Sequence, residues 1–217
     1  MFSTAVILKS LPLLLKGAGT TLWVSAVSLG IGFVLAVGIC LLRLSHRPGP
    51  RRAGTLYISF FRGVPLLVQL LLVFYLLPFI GIDVPPLVAA IAALALCTAA
   101  YMAEILRGGF LGVPGGQMEA ARLLGFRPSQ VLWRIRVPLA LRLTMPALVN
   151  ECTMILKASS LISVVGVAEL TRVSQNIVAT SYRPLEIYLA GGVLYLVLCL
   201  ALSGLGLWLQ RRLGAGR

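Results

Sequence analysis

Residues able to do chemistry are scarce in this chain, and most are set in apolar surroundings. The four cysteines, Cys40, Cys97, Cys152 and Cys199, fall one per apolar segment, and the only histidine, His46, lies in a basic loop. No CxxC or Cys/His spacing offers a metal site, and a buried cysteine behaves as a small hydrophobe. A G-x-x-x-x-G-K-[ST] phosphate loop is also missing from the sequence, so nucleotide hydrolysis is not expected of this chain. What remains are charged side chains inside apolar sequence. Arg142, Glu151 and Lys157 fall between Pro138 and Lys157, and Glu104 closes an apolar run that begins at Val84. Charge at membrane depth is costly unless it is paired or faces water, which makes such residues candidates for function.

The elements that carry these residues follow from composition. Apolar residues make up 59% of the 217 and charged residues only 12%. Soluble domains carry roughly a quarter charged residues, so water is not the main solvent of this chain. Uncharged runs extend over 17–42, 63–82, 84–103 and 187–210. Each is long enough to cross a bilayer, which takes about 20 apolar residues. A fifth segment, 138–157, has the right length but carries three charges, and a solvated amphipathic loop is its alternative reading. The expected spans are about 19–42, 58–80, 85–106, 138–157 and 187–209, in one all-α polytopic domain covering 1–217.

The formal charge of +13 could suggest a nucleic-acid partner, but the basic residues sit mainly between the apolar runs. That pattern is the one orientation in a bilayer imposes. With five spans, the loops 43–54 and 107–137 fall on the same side as the tail with Arg211, Arg212 and Arg217. Lys9, Lys16, Arg172 and Arg183 fall on the other, with Lys157 near that boundary. Retention of positive charge in the cytoplasm then places the N-terminus outside and the C-terminus inside. Residues 1–16 read as a short amphipathic segment at the outer interface. The stretch 161–168 is too short to span and too apolar for an ordinary loop. It reads as re-entrant or gate-like, since irregular backbone at membrane depth must be covered by protein or line a cavity.

The loop 114–136 is the most informative cytoplasmic segment. Pro114 and two glycines open a helix, and Glu119 lies in its early turns, where negative charge is favoured. Ala120 and Ala121 are small enough for close packing. Gly125 is suited to a left-handed helix end, and Pro128 cannot continue that helix. Ser129–Arg136 is expected as a second short amphipathic piece leading into Pro138. A compact helix–Gly–helix hook suits either a partner that docks on it or a tight interhelical connection.

The pattern E-A-A-x-x-x-G from Glu119 to Gly125, with Pro138 thirteen residues on, resembles the EAA coupling loop of ABC-importer permeases. Phe61–Gln69 (FRGVPLLVQ) is similar to the R-G-T-P-L-L-V-Q block of the polar amino-acid permeases. Ala100–Gly108 (AYMAEILRG) is similar to their A-Y-x-A-E-x-x-R-G block, and Leu156–Leu161 (LKASSL) to their L-K-D-T-S-L block. The departures are Val64 for Thr and Ala158-Ser159 for Asp-Thr, and losing the Asp removes a possible partner for Lys157.

The resemblance implies a type I ABC importer permease with five transmembrane helices and a cytoplasmic EAA coupling loop, in a bacterial inner membrane. It implies as partners two cytoplasmic ATPase subunits, a second permease subunit (homodimer or heterodimer), an extracytoplasmic substrate-binding protein and a polar amino acid. ATP and Mg would be bound by the ATPase subunits, with no cofactor in this chain and no catalysis by it. Coupling would fall to Gln117, Glu119, Ala120, Ala121, Gly125, Phe126 and Arg127. A zwitterion needs a polar path, for which Arg62, Gln69, Glu104, Asn150, Glu151, Lys157, Ser159 and Ser160 are candidates. Against this, Glu104 could simply pair with Arg107 at i,i+3. Asn150 could be interhelical glue, and Arg62 could sit at the inner interface. The alternatives are a permease for another small solute, such as methionine or phosphate, and a stand-alone secondary transporter or channel.

Overall fold

Long uncharged runs must satisfy every backbone N–H and C=O internally when lipid surrounds them, which favours helices. A computed structural model describes residues 4–212, and its described elements are all helical. Residues 1–3 and 213–217 lie outside the described residues. With them lie Arg217 and the two chain ends that the sidedness assignment concerns. The helices are α1 (Thr4–Leu44), α2 (Pro48–Gly63), α3 (Leu66–Phe79), α4 (Pro86–Gly112), α5 (Gly115–Leu123), α6 (Pro128–Val131), α7 (Val137–Ala158), α8 (Leu170–Ser181) and α9 (Pro184–Arg212). Four helical stretches are long and apolar enough to cross a membrane, and the bent pair α2–α3 would make a fifth if it is a single span.

Three of the expected elements take a different form. Residues 4–16 are not a separate interfacial piece: α1 runs unbroken through Pro12 for 41 residues, about 60 Å at 1.5 Å per residue. Its first half is held by tertiary packing, with Leu14 and Ala18 against Leu170 and Gly17 against the Leu170 backbone. The second span is broken, since α2 and α3 meet at 104° across Val64-Pro65. Pro65 has no N–H to give the Phe61 carbonyl and its ring disfavours a helical residue before it, so the helix cannot continue. Finally, Ser129–Arg136 does not stand apart. The chain runs from α6 through one π-helical turn, Leu132–Arg136, directly into α7.

Packing follows the small residues. The Ala-rich face of α4 (Ala89, Ala90, Ala93, Ala100, Ala103) is buried, and α1 lies closely along α4. At Gly32 a Cβ would come within 2.9 Å of Thr98, so only glycine permits this approach. Helix α4 meets α7 at Gly109, where a Cβ would stand 2.8 Å from the Ala140 carbonyl oxygen and against Thr144. The segment 159–165 forms a 3-10 helix that ends at Gly166, φ +86°. Its Ile162, Val165 and the following Val167 share a buried cluster with Val24, Leu70 and Leu94. The irregular backbone expected at 161–168 is thus covered by α1, α3 and α4.

Candidate functional site: a charged helix break and a helix–glycine–helix hook

Helix α3 is 14 residues, about 21 Å long, and cannot by itself cross a hydrocarbon core of about 30 Å. Taken together as one bent span, α2 and α3 would place their break at membrane depth, with α2 leading up to it. Arg62 sits in the last turn of α2, exposed, with its guanidinium 5.1 Å from the Tyr101 ring centroid on α4. Depth along the neighbours is fixed by the Gly109–Thr144 contact. Counting from it, Tyr101 stands about 12 Å up α4 and Glu151 about 10 Å up α7. The two residues thus stand at about the same level along their helices. Glu151 is 8% exposed and forms no ion pair within 4.0 Å among the described residues. The α3 N-terminus, uncapped by any side chain, adds its positive dipole end at the same break. A cationic side chain, a buried acidic side chain and an open helix end thus lie at one level of the helix bundle, in apolar surroundings where each alone would be costly.

The other path candidates are distributed around this point. Asn150 is exposed beside Glu151, and Lys157 is exposed farther along α7 without an ion pair among the described residues. Ser159 is fully buried and donates to the Leu156 carbonyl, while Ser160 donates to that of Lys157, so both hydroxyls serve the helix end. Glu104 lies toward the C-terminal end of α4. It accepts from Arg107 at 2.7 Å and from Arg43 at 3.2 Å, and Arg43 also donates to Thr55. That cluster ties α1, α2 and α4 together, and the i,i+3 pairing expected of Glu104 is present. Gln69 is 2% exposed and spends its amide nitrogen on the Phe61 and Val64 carbonyls, at 2.8 and 2.7 Å.

Sequence reasoning missed two features. Tyr101 was read only as part of a motif, although an aromatic one turn from Glu104 on an Ala-rich helix is a usable signal. The buried Glu169 was not singled out. It caps α8 by accepting from the Thr171 and Arg172 amides, at 2.9 and 2.7 Å, and it accepts from the Tyr195 hydroxyl at 2.7 Å. Burial pushes its carboxyl above the usual carboxylate range, against the opposing pull of those donors. Glu-Leu-Thr is a plain helix-start pattern, but Tyr195 is distant in sequence.

In the hook, α5 ends as its sequence suggests. Gly125 has φ +80°, its N–H donates to Arg122 O at 3.0 Å, and Phe126 N–H donates to Ala121 O at 3.1 Å. These two bonds are the Schellman pattern that closes a helix through a left-handed residue. Arg127 then starts α6, where Gln130 Oε1 accepts from the Arg127 amide at 2.8 Å. Ala121 is buried, whereas Gln117, Glu119, Ala120 and Arg127 are exposed and Phe126 is half-buried. Leu123 and Leu124 are 89% and 77% exposed. These two adjacent leucines form an exposed apolar pair beside the turned corner.

The chain is similar to known proteins over nearly its whole length. The chain is 38% identical over 210 residues to the nopaline transport system permease protein NocM of Agrobacterium fabrum, covering 92% of this chain and 87% of that one. It is 36% identical over 214 residues to the glutamine transport system permease protein GlnP of Escherichia coli, covering 98% of each. The fold superposes with a TM-score of 0.92 on a solved amino acid ABC transporter with histidines, at 35% identity, covering 98% of this chain and 99% of that one. An inward-facing MetNI methionine transporter structure shares the fold with a TM-score of 0.78 at 24% identity, covering 93% and 96%. Residues 28–215 match the model of one family, and the chain belongs to it: the binding-protein-dependent transport system inner membrane components.

Proposed function

We propose that this chain is the membrane-spanning permease of an ABC importer for polar amino acids, and that the α2–α3 break forms its substrate site. Membership of the family makes it an inner-membrane transport component that works with an ATPase and a substrate-binding protein. The amino-acid permeases among its relatives favour a polar amino acid over another small solute, and the family match disfavours a stand-alone transporter.

The observation that carries the site is the meeting of opposite charges at one depth. An amino acid presents a carboxylate and an ammonium a few ångströms apart. Arg62 and the α3 N-terminus suit the carboxylate, as half-helix ends do in transporters built on broken helices. Glu151 suits the ammonium, and Tyr101 holds Arg62 in place through its ring face. Arg62, Gly63, Pro65 and Asn150 are all exposed on this chain. Irregular backbone and charge cannot face lipid, so a second permease subunit, identical or homologous, closes the path on that side. Two ATPase subunits bind ATP and Mg and dock on the hook around Leu123–Arg127. Their closure tilts α7 through its continuous connection to α6. The N-terminus is outside and the C-terminus cytoplasmic, and this chain itself hydrolyses nothing.

The test is uptake by the complete importer in proteoliposomes, using a mixture of 14C-labelled L-glutamine, L-arginine and L-histidine. Glu151→Gln and Arg62→Ala should each lower uptake at least 100-fold while the complex still assembles. Wild-type uptake by both variants would remove the site from the break.

A further inference from the structure

The amide of Gln69 does work that the backbone at the break cannot do. In an unbroken helix the N–H of residue 65 would donate to the Phe61 carbonyl, but Pro65 has none. The Val64 carbonyl lies just outside α3, whose first backbone bond is Gln69 N–H to Pro65 O at 3.1 Å. Both carbonyls would therefore be orphaned at membrane depth, where an unmet acceptor is expensive. Gln69 Nε2 meets both, at 2.8 Å to Phe61 O and 2.7 Å to Val64 O. The Cys97 thiol on α4 also lies 3.9 Å from the Phe61 carbonyl. One side chain of α3 is thereby bonded to the last turn of α2 and to the linker. Its own Oε1 is buried and without a partner.

We propose that Gln69 is a positioning residue. It fixes the angle between α2 and α3, and so sets Arg62 and the α3 N-terminus at the geometry the substrate needs, without touching substrate itself. At 2% exposure, with both amide hydrogens committed, it has no donor left for a ligand. The inference rests on the reading of the break as the substrate site, and its test separates the two.

The variants are Gln69→Met, of similar volume with no donor, and Gln69→Asn, which keeps an amide one methylene too short to reach both carbonyls. Each is combined with a reporter thiol in a background whose four cysteines are replaced by alanine. One reporter is Gly63→Cys, where an added Cβ meets nothing within 4 Å. The other is Asn150→Cys, exposed on α7 near the level of Glu151. The complete importer is labelled with a cationic methanethiosulfonate, and uptake of the 14C amino-acid mixture is followed in the same preparations without reporters. Both Gln69 variants should change the labelling rate at position 63 at least 10-fold, leave position 150 within 2-fold, and lower uptake at least 10-fold. Gln69→Asn serves if Gln69→Met fails to assemble. An unchanged rate at 63 overturns the positioning role and leaves the substrate reading intact. Equal changes at 63 and 150 make Gln69 a general packing residue and also overturn it. A changed rate at 63 with wild-type uptake overturns the substrate reading, and the proposal with it.

Discussion

Replacing Gly125 tests the hook most directly, because the structure isolates a single physical term. The residue has φ +80°, and a Cβ built there meets nothing within 4 Å. A side chain at 125 therefore clashes with no neighbour, and its cost is the intrinsic penalty of a left-handed L-residue, about 1–2 kcal/mol. At about 1.4 kcal/mol per tenfold change, that lowers the population of the correctly turned corner by about 5- to 30-fold. Gly125→Ala should fall within this range and Gly125→Val at or beyond its upper end, because β-branched residues tolerate positive φ worst. Gly125→Asn should stay near wild type, since Asn adopts this conformation readily. The assay is binding-protein-stimulated ATPase activity and uptake by the complete importer in nanodiscs and proteoliposomes, with membrane insertion checked by detergent extraction. Both activities should fall together in the order Asn, Ala, Val, with insertion unchanged. Wild-type coupling in Gly125→Val would show that the corner does not transmit force. Equal loss in Gly125→Asn and Gly125→Val would show that the effect is not conformational strain.

Two further outcomes follow from the same geometry. Single cysteines at Thr4 and Arg212, in a background lacking the native four, should be labelled by an impermeant maleimide from opposite sides of intact cells, Thr4 from outside; labelling of both from one side would defeat the five-span arrangement. Glu104→Gln leaves Arg43 and Arg107 without their shared carboxylate, at a cost below the about 3–5 kcal/mol of a fully buried pair because the cluster is partly exposed. The variant complex should lose thermal stability in detergent while keeping the KM for uptake, and a raised KM with unchanged stability would move Glu104 into the path.

The positions of Glu104 and Glu151 show where sequence reading stopped. Both are acidic residues near apolar runs, and both were candidates for the path. Glu104 has Arg107 one turn away, a pairing legible from spacing alone, and Arg43 adds a second cation from α1. Glu151 has no opposite charge one turn away, and the cation nearest its level, Arg62 over Tyr101, ends a helix that meets its successor at a 104° bend. Gln69 was a reasonable path candidate as a polar residue in an apolar run. Its true surroundings followed once Pro65 was seen to orphan a carbonyl that only a nearby side chain could reach.

The sequence by itself determined the solvent, the helical class and the left-handed corner at Gly125. These depend on composition, run length and the conformational freedom of single residues, all local properties. It could not tell whether residues 4–16 end at the membrane surface or extend α1, because an interfacial helix and a continued helix share the same apolar sequence. Contacts with Leu170 and its neighbours on α8 decided that. Tertiary structure alone also placed Arg62, Tyr101 and Glu151 at one depth, because their meeting depends on how α4 and α7 close at Gly109 and how α2 crosses them. Contacts between helices far apart in sequence leave no periodic trace in any one of them, and the charged site at the break is built from such contacts.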